Sequence, residues 1–109
     1  MSTKLQVTRY GLSKKAGGWD PYGDSETDKG LGSKGNILSY FACAITDSAR
    51  MALGANFDDY LVIVFPDGRQ QIRRIEDRAP ELNGRVDLFY PWADDPSIPD
   101  YADVSILKT

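Results

Sequence analysis

The run Tyr60-Leu61-Val62-Ile63-Val64-Phe65 constrains the fold more than any other stretch of the chain. It is dense in β-branched and aromatic residues, which pack well on a pleated surface. Pro66-Asp67-Gly68 follows with the residues of a tight turn, and Arg69 to Glu76 returns as a partner strand. A lone hairpin is marginal in water, so other strands must cover it. Leu5-Gln6-Val7-Thr8-Arg9-Tyr10 alternates with period two and stops at Gly11. Ile37 to Ile45 is an apolar run that reads as a buried strand. Val86-Asp87-Leu88-Phe89 and Val104-Ser105-Ile106-Leu107 are shorter strand-like runs. With no long amphipathic helix, about six strands joined by turns predict a mainly β protein, a small β-barrel.

The connections are uneven. Gly11, Gly17, Gly18, Gly23, Gly30, Gly32 and Gly35, with Pro21 and many polar residues, predict a long N-terminal loop over 11–36. A loop of that length in a compact domain is usually functional or mobile. Thr46 to Gly54 fits a short helical turn, capped by Asp47 or Ser48 and stopped by Gly54. Pro91, Pro96 and Pro99 predict irregular chain over 91–101. A length of 109 residues suits a single domain, 1–109, with a small core.

Composition narrows the chemistry. The chain has no histidine and one cysteine. That removes Ser-His-Asp triads, nearly all zinc sites and any internal disulfide. Cys43, between Ala42 and Ala44, reads as a small buried hydrophobe. The net charge of −3 argues against nucleic acid as the main partner. Arg69, Arg73 and Arg74 cluster, but acidic residues flank them, which suggests a solvated strand face. No stretch reaches the ~18 apolar residues of a membrane span. The N-terminus lacks the pattern of a signal peptide, although a removed leader would leave export open. Asp24, Glu26 and Asp28 have the alternate spacing of a calcium loop, yet Lys29 holds the glycine position and Gly35 the bidentate-Glu position. No metal and no cofactor are expected.

In such a chain, proton transfer falls to carboxylates. Asp77 and Asp87 are the best placed. They bracket a polar loop containing Pro80 and Gly84, with strand-like residues on either side. Aspartates at strand ends also accept backbone N–H groups and simply hold turns, so both readings stay open for Asp77, Asp87 and Asp47.

Several segments together resemble a known family. Val7-Thr8-Arg9-Tyr10 looks like its opening "T-x-Y" strand, and Ala44-Ile45-Thr46-Asp47 like its "A-V-D". Met51-Ala52-Leu53-Gly54 looks like the "I-P-L-G" that follows. The segment from Asp77 to Phe89 looks like its "D-T-G-G-A-I-K-G-x-R-I-D-L-Y", with Arg78-Ala79-Pro80 standing where that pattern has Gly-Gly. Val104-Ser105-Ile106-Leu107 looks like the closing strand. The chain thus resembles the 3D domain, named for three aspartates, which occurs in MltA-type lytic transglycosylases and stationary-phase-survival cell-wall proteins. Asp47, Asp77 and Asp87 occupy the three positions in order.

The resemblance implies a six-stranded double-psi β-barrel with short helical turns, related in fold to family-45 endoglucanases and expansins. It implies a lytic transglycosylase acting on peptidoglycan, at the bond between N-acetylmuramate and N-acetylglucosamine. One carboxylic acid protonates the leaving oxygen. The resulting carboxylate takes the proton of the muramate C6 hydroxyl, closing a 1,6-anhydro ring. Asp77 is the first candidate for that acid/base, with Asp87 raising its pKa or orienting the sugar and Asp47 lining the same groove. Thr8 and Tyr10 offer hydroxyls, Arg78 a cation, and Tyr90 and Trp92 rings for sugar faces. The partner is then a peptidoglycan glycan strand or related polysaccharide, met by a monomer in the cell envelope or outside the cell. The alternative expectation is a non-catalytic glycan-binding module, or a part of an envelope or phage assembly. A third is a glycoside hydrolase acting on another β-linked glucan.

Overall fold

The computed structural model describes residues 2–80, 84–92 and 97–108. Glu81, Leu82 and Asn83 of the Asp77–Asp87 loop lie outside them, as does Pro96 of the expected irregular segment. Six strands form a closed barrel: β1 (Thr3–Tyr10), β2 (Ala42–Ile45), β3 (Tyr60–Val64), β4 (Gln70–Arg78), β5 (Arg85–Phe89) and β6 (Tyr101–Ile106). Their order around the barrel is β1-β5-β2-β4-β3-β6. Closure pairs each of these strands on both sides, which removes the usual template for aggregation. No helix among the described residues is long and apolar enough to cross a membrane.

The pairing is mixed. β1 runs parallel to β5 and β2 parallel to β4, while the other neighbours are antiparallel. Exchanging β1, β2, β3 with β4, β5, β6 reproduces every pair with its sense. The barrel is therefore two interlocked three-strand halves about a pseudo-two-fold axis, an arrangement compatible with a double-psi barrel. Nothing in the sequence repeats to announce it.

The alternation read from sequence fills the interior. Val7, Cys43, Ile45, Leu61, Ile63, Ile75, Val86, Leu88 and Val104 are all nearly inaccessible and belong to one cluster. The hairpin turn at 66–68 joins β3 to β4 as expected, with Gly68 at φ 91° closing it. Cys43 is fully buried, and burial pushes its thiol up to about 12, which keeps it protonated and inert.

Four expectations are corrected. First, the strand expected from Ile37 covers only Ala42–Ile45. Ile37 is 83% exposed and makes a single bridge to Leu31. Second, the 11–36 segment is not one featureless loop. It holds a 3-10 turn at Lys14–Ala16 and a one-turn helix, α1 (Ser25–Asp28), and it buries Leu12, Asp20 and Thr27. Asp24 caps α1 by accepting from Thr27 N at 2.7 Å, while Asp28 accepts from both Ser13 N and Ser13 Oγ. Third, helix α2 (Asp47–Leu53) is capped by Thr46 rather than Asp47 or Ser48. Thr46 Oγ1 accepts from Ala49 N, and Gly54 in the left-handed region ends the helix.

Fourth, the arginine cluster divides. Arg69 and Arg74 are partly exposed and pair with Asp67 and Asp58. Arg73 is buried, because its register partner is Leu61 on the interior face. Its guanidinium donates to the carbonyl oxygens of Tyr40, Ala42 and Phe89 and lies 4.7 Å from the Tyr90 ring centroid. It plugs one end of the barrel and satisfies backbone groups that would otherwise be stranded.

Candidate functional site

Strand register assembles the site. Thr8 of β1 lies opposite Asp87 of β5. Asp87 lies opposite Ala44 of β2, and Ala44 opposite Asp77 of β4. One row of side chains thus crosses four strands on the outer face: Thr8, Asp87, Ala44, Asp77. The pseudo-two-fold axis passes between Asp87 and Ala44. Alanine in the middle of the row leaves room between the carboxylates.

Asp77 reaches that face because of a bulge. Cys43 pairs with Ile75, but the next residue, Ala44, pairs with Asp77, so Glu76 is an extra residue in β4. Without it, strict alternation would place Asp77 on the face of Ile75, inside the barrel. Glu76 itself turns away and accepts from Ser39 N at 2.8 Å and from Ser39 Oγ, holding the 37–41 segment.

Asp77, Asp87, Tyr10, Ala44 and Arg78 line a cleft of about 260 Å³, walled on its far side by Glu26, Thr27, Leu31, Gly32 and Ser33. Ser33 N donates to Asp77 Oδ1 at 2.8 Å, Arg78 N donates to the same oxygen at 2.8 Å, and Tyr10 Oη donates to Oδ2 at 3.1 Å. The wall is clipped to the bulge. Gly32 N donates to Asn36 O at 2.8 Å, and Asn36 Nδ2 to Glu76 O at 2.8 Å. A Cβ on Gly32 would sit 2.6 Å from Glu76 O, so only glycine allows this approach.

Asp87 differs from its neighbour. Burial pushes its carboxyl up to about 6, and the nearby Asp20 and Asp77 push in the same direction. The Thr8 hydroxyl and Arg85 favour its charged form. The Thr8 contact falls short of hydrogen-bond geometry, however, and Thr8 Oγ1 and Asp87 Oδ1 are both buried without a partner among the described residues. Burial, then Asp77 and Asp87, raise the Tyr10 hydroxyl far above its usual range, so Tyr10 stays a proton-bearing donor.

Of the residues expected at the site, Tyr10, Asp77, Arg78 and Asp87 share the cleft. Thr8 belongs to the same row but opens onto a neighbouring hollow with Trp19 and Asp20. Asp47 lies beside the cleft. Its carboxylate pairs with the Arg78 guanidinium, and the two line an adjoining hollow with Ser33 and Pro80. Tyr90 packs against the core and takes a hydrogen bond from Gln71 at 2.8 Å. Trp92 lines a different hollow, with Tyr40. Asp20, unforeseen, acts together with Asp77 to raise the Asp87 carboxyl. It is buried and accepts from Gly11 N and Tyr22 N. Its only sequence cue was a position in a glycine-rich segment. Among the described residues, no group of three or more acidic or cysteine side chains is arranged to hold a metal ion.

The class defined so far is a closed six-stranded mixed barrel with a paired-carboxylate cleft on its outer face. No protein-family model matches the chain, and no curated protein is similar to it in sequence.

Proposed function

We propose that the chain is a glycan-cleaving domain of the lytic transglycosylase type, a double-psi barrel of the 3D group acting on peptidoglycan. The observation that carries this reading is the pairing of two unlike carboxylates in one cleft: Asp87, held protonated up to about pH 6, and Asp77, whose oxygens accept from Ser33 N, Arg78 N and Tyr10 Oη. Carboxyl groups whose environments differ in this way suit division of labour in acid–base chemistry.

Asp87 takes the acid role in this proposal. Its proton passes to the glycosidic oxygen as the bond to the muramate C1 breaks. The positive charge spreading over C1 and the ring oxygen is stabilised by the Asp77 carboxylate. The muramate C6 hydroxyl then adds to C1 and gives its proton to Asp87, restoring the acid. Atoms and charge balance with no water consumed. Tyr10, unable to ionise in the working range, orients Asp77. This exchanges the roles expected from sequence, where Asp77 carried the proton.

The test is digestion of purified cell-wall sacculi, with products read by mass spectrometry. Anhydro-muropeptides are expected. Their absence at every pH from ~4 to 8 would sink the reading. A second reading, a non-catalytic glycan-binding module, is favoured by one contact: Arg78, of the Arg78-Ala79-Pro80 segment that stands where the family pattern has Gly-Gly, pairs with Asp47 at the cleft's side. It predicts sacculus binding without any product.

A further inference from the structure

The wall of the cleft has a second side. Glu26, Thr27 and Leu31 face the Asp77–Asp87 cleft, while Asp28, Lys29 and Gly30 of the same turn line another hollow, of about 230 Å³. Leu12, Leu38 and Phe89 are buried beneath that hollow as a small apolar cluster of their own, separate from the barrel interior. Above it stand Tyr40 and Trp92. The two residues are 68% and 58% exposed, with ring centroids 5.5 Å apart and planes tilted by 55°.

Two large rings left open over an apolar floor forgo the burial that aromatic side chains ordinarily gain. The turn opposite them is pinned where the Asp28 carboxylate accepts from Ser13 N at 2.7 Å and Ser13 Oγ at 2.6 Å. The Lys29 side chain, 65% exposed, is at the rim and makes a long 3.9 Å pairing to Glu26. Angled aromatic faces, an apolar floor and a rim donor match a pyranose ring: its C–H faces lie on the rings and its hydroxyls meet the ammonium.

We propose that this hollow is a second sugar subsite, which holds a further pyranose unit of the strand that occupies the Asp77–Asp87 cleft. It rests on the glycan reading above. The strand crosses the Thr27–Leu31 turn, and Tyr40 and Trp92 grip it away from the reacting bond. Tyr40 has no part in the expected site, and Trp92 acts here rather than beside Asp87.

The chain's two tryptophans make the test direct. The Trp19 indole N–H is tied to Tyr90 O at 2.7 Å, so its NMR signal serves as an internal control for that of Trp92. Titration with N-acetylchitohexaose is expected to shift the Trp92 indole signal and leave that of Trp19 in place. Trp92→Ala and Tyr40→Ala, both at exposed positions, are each expected to weaken binding roughly tenfold. If the amide signals of Ser33 and Arg78 move while Trp92 does not, and both variants bind as the parent does, the subsite is refuted and the glycan reading stands. If neither N-acetylchitohexaose nor glycan strands released from peptidoglycan move any signal, the glycan reading fails and takes the subsite with it. A Trp92-dependent dimer in sedimentation, with no response to sugar, would overturn the subsite in favour of self-association.

Discussion

Asp87→Asn is expected to stabilise the protein near neutral pH. The native state holds the Asp87 proton up to about 6, against an ordinary value of 3.8. Between those values the native state binds more protons than the unfolded chain. The stabilising contribution is therefore complete below about 3.8, and it is lost as pH rises through about 6. Each tenfold in proton affinity is worth about 1.4 kcal/mol, so the charged form costs about 3 kcal/mol at neutral pH. Water entering the cleft screens part of this, and a gain of about 1–3 kcal/mol is expected for the neutral, isosteric amide. Urea unfolding of both proteins at several pH values between ~3.5 and 7.5 exposes the effect, because the carboxylates not coupled to Asp87 cancel in the difference and the rest belongs to Asp87 with its neighbours Asp20 and Asp77. The two proteins should unfold alike at the acid end and diverge as pH rises. A difference flat in pH, or an Asn variant less stable near neutrality, would refute the argument. The predicted gain also identifies Asp87 as a residue kept at the expense of stability, as functional groups often are.

Three further substitutions probe the scaffold. Arg73→Met should cost about 3 kcal/mol or more in thermal unfolding, since it strands the carbonyls of Tyr40, Ala42 and Phe89 beneath the barrel end. Thr46→Ala should cost about 1–2 kcal/mol, because Thr46 Oγ1 accepts from both Ala49 N and Arg85 N. Gly32→Ala should cost about 1–3 kcal/mol and weaken glycan binding measured by calorimetry, since the added Cβ meets Glu76 O and must push the Ser33 amide off Asp77.

The sequence made some elements plain and left others hidden. The Tyr60–Glu76 hairpin was legible because period, turn residues and β-propensity agree. The end of α2 was legible because glycine suits the left-handed position at residue 54. The bulge at Glu76 was not, because an extra residue in one strand exists only relative to its partner, β2. That bulge aims Asp77 outward. The flanking residues of Asp77 and Asp87 therefore suggest that the two converge, but the register that brings them together is invisible in either strand alone. Arg73 was misread for a related reason: its burial depends on the register with Leu61, and its partners are carbonyls that leave no mark in side-chain sequence. The Ser33 amide and Asp20 share that invisibility. Ile37 to Phe41 failed as strand because local apolarity said nothing of the Glu76 carboxylate that holds Ser39 in place.

The most direct measurement is the rate of anhydro-muropeptide release from sacculi by the parent protein and by Asp87→Asn, across the pH range from ~4.5 to 8. A general acid must be protonated to act. The parent rate should therefore fall as pH rises through about 6, and the Asn variant should release no product at any pH. Anhydro-muropeptides from Asp87→Asn at the parent rate, or a parent rate indifferent to pH in that range, would contradict the account.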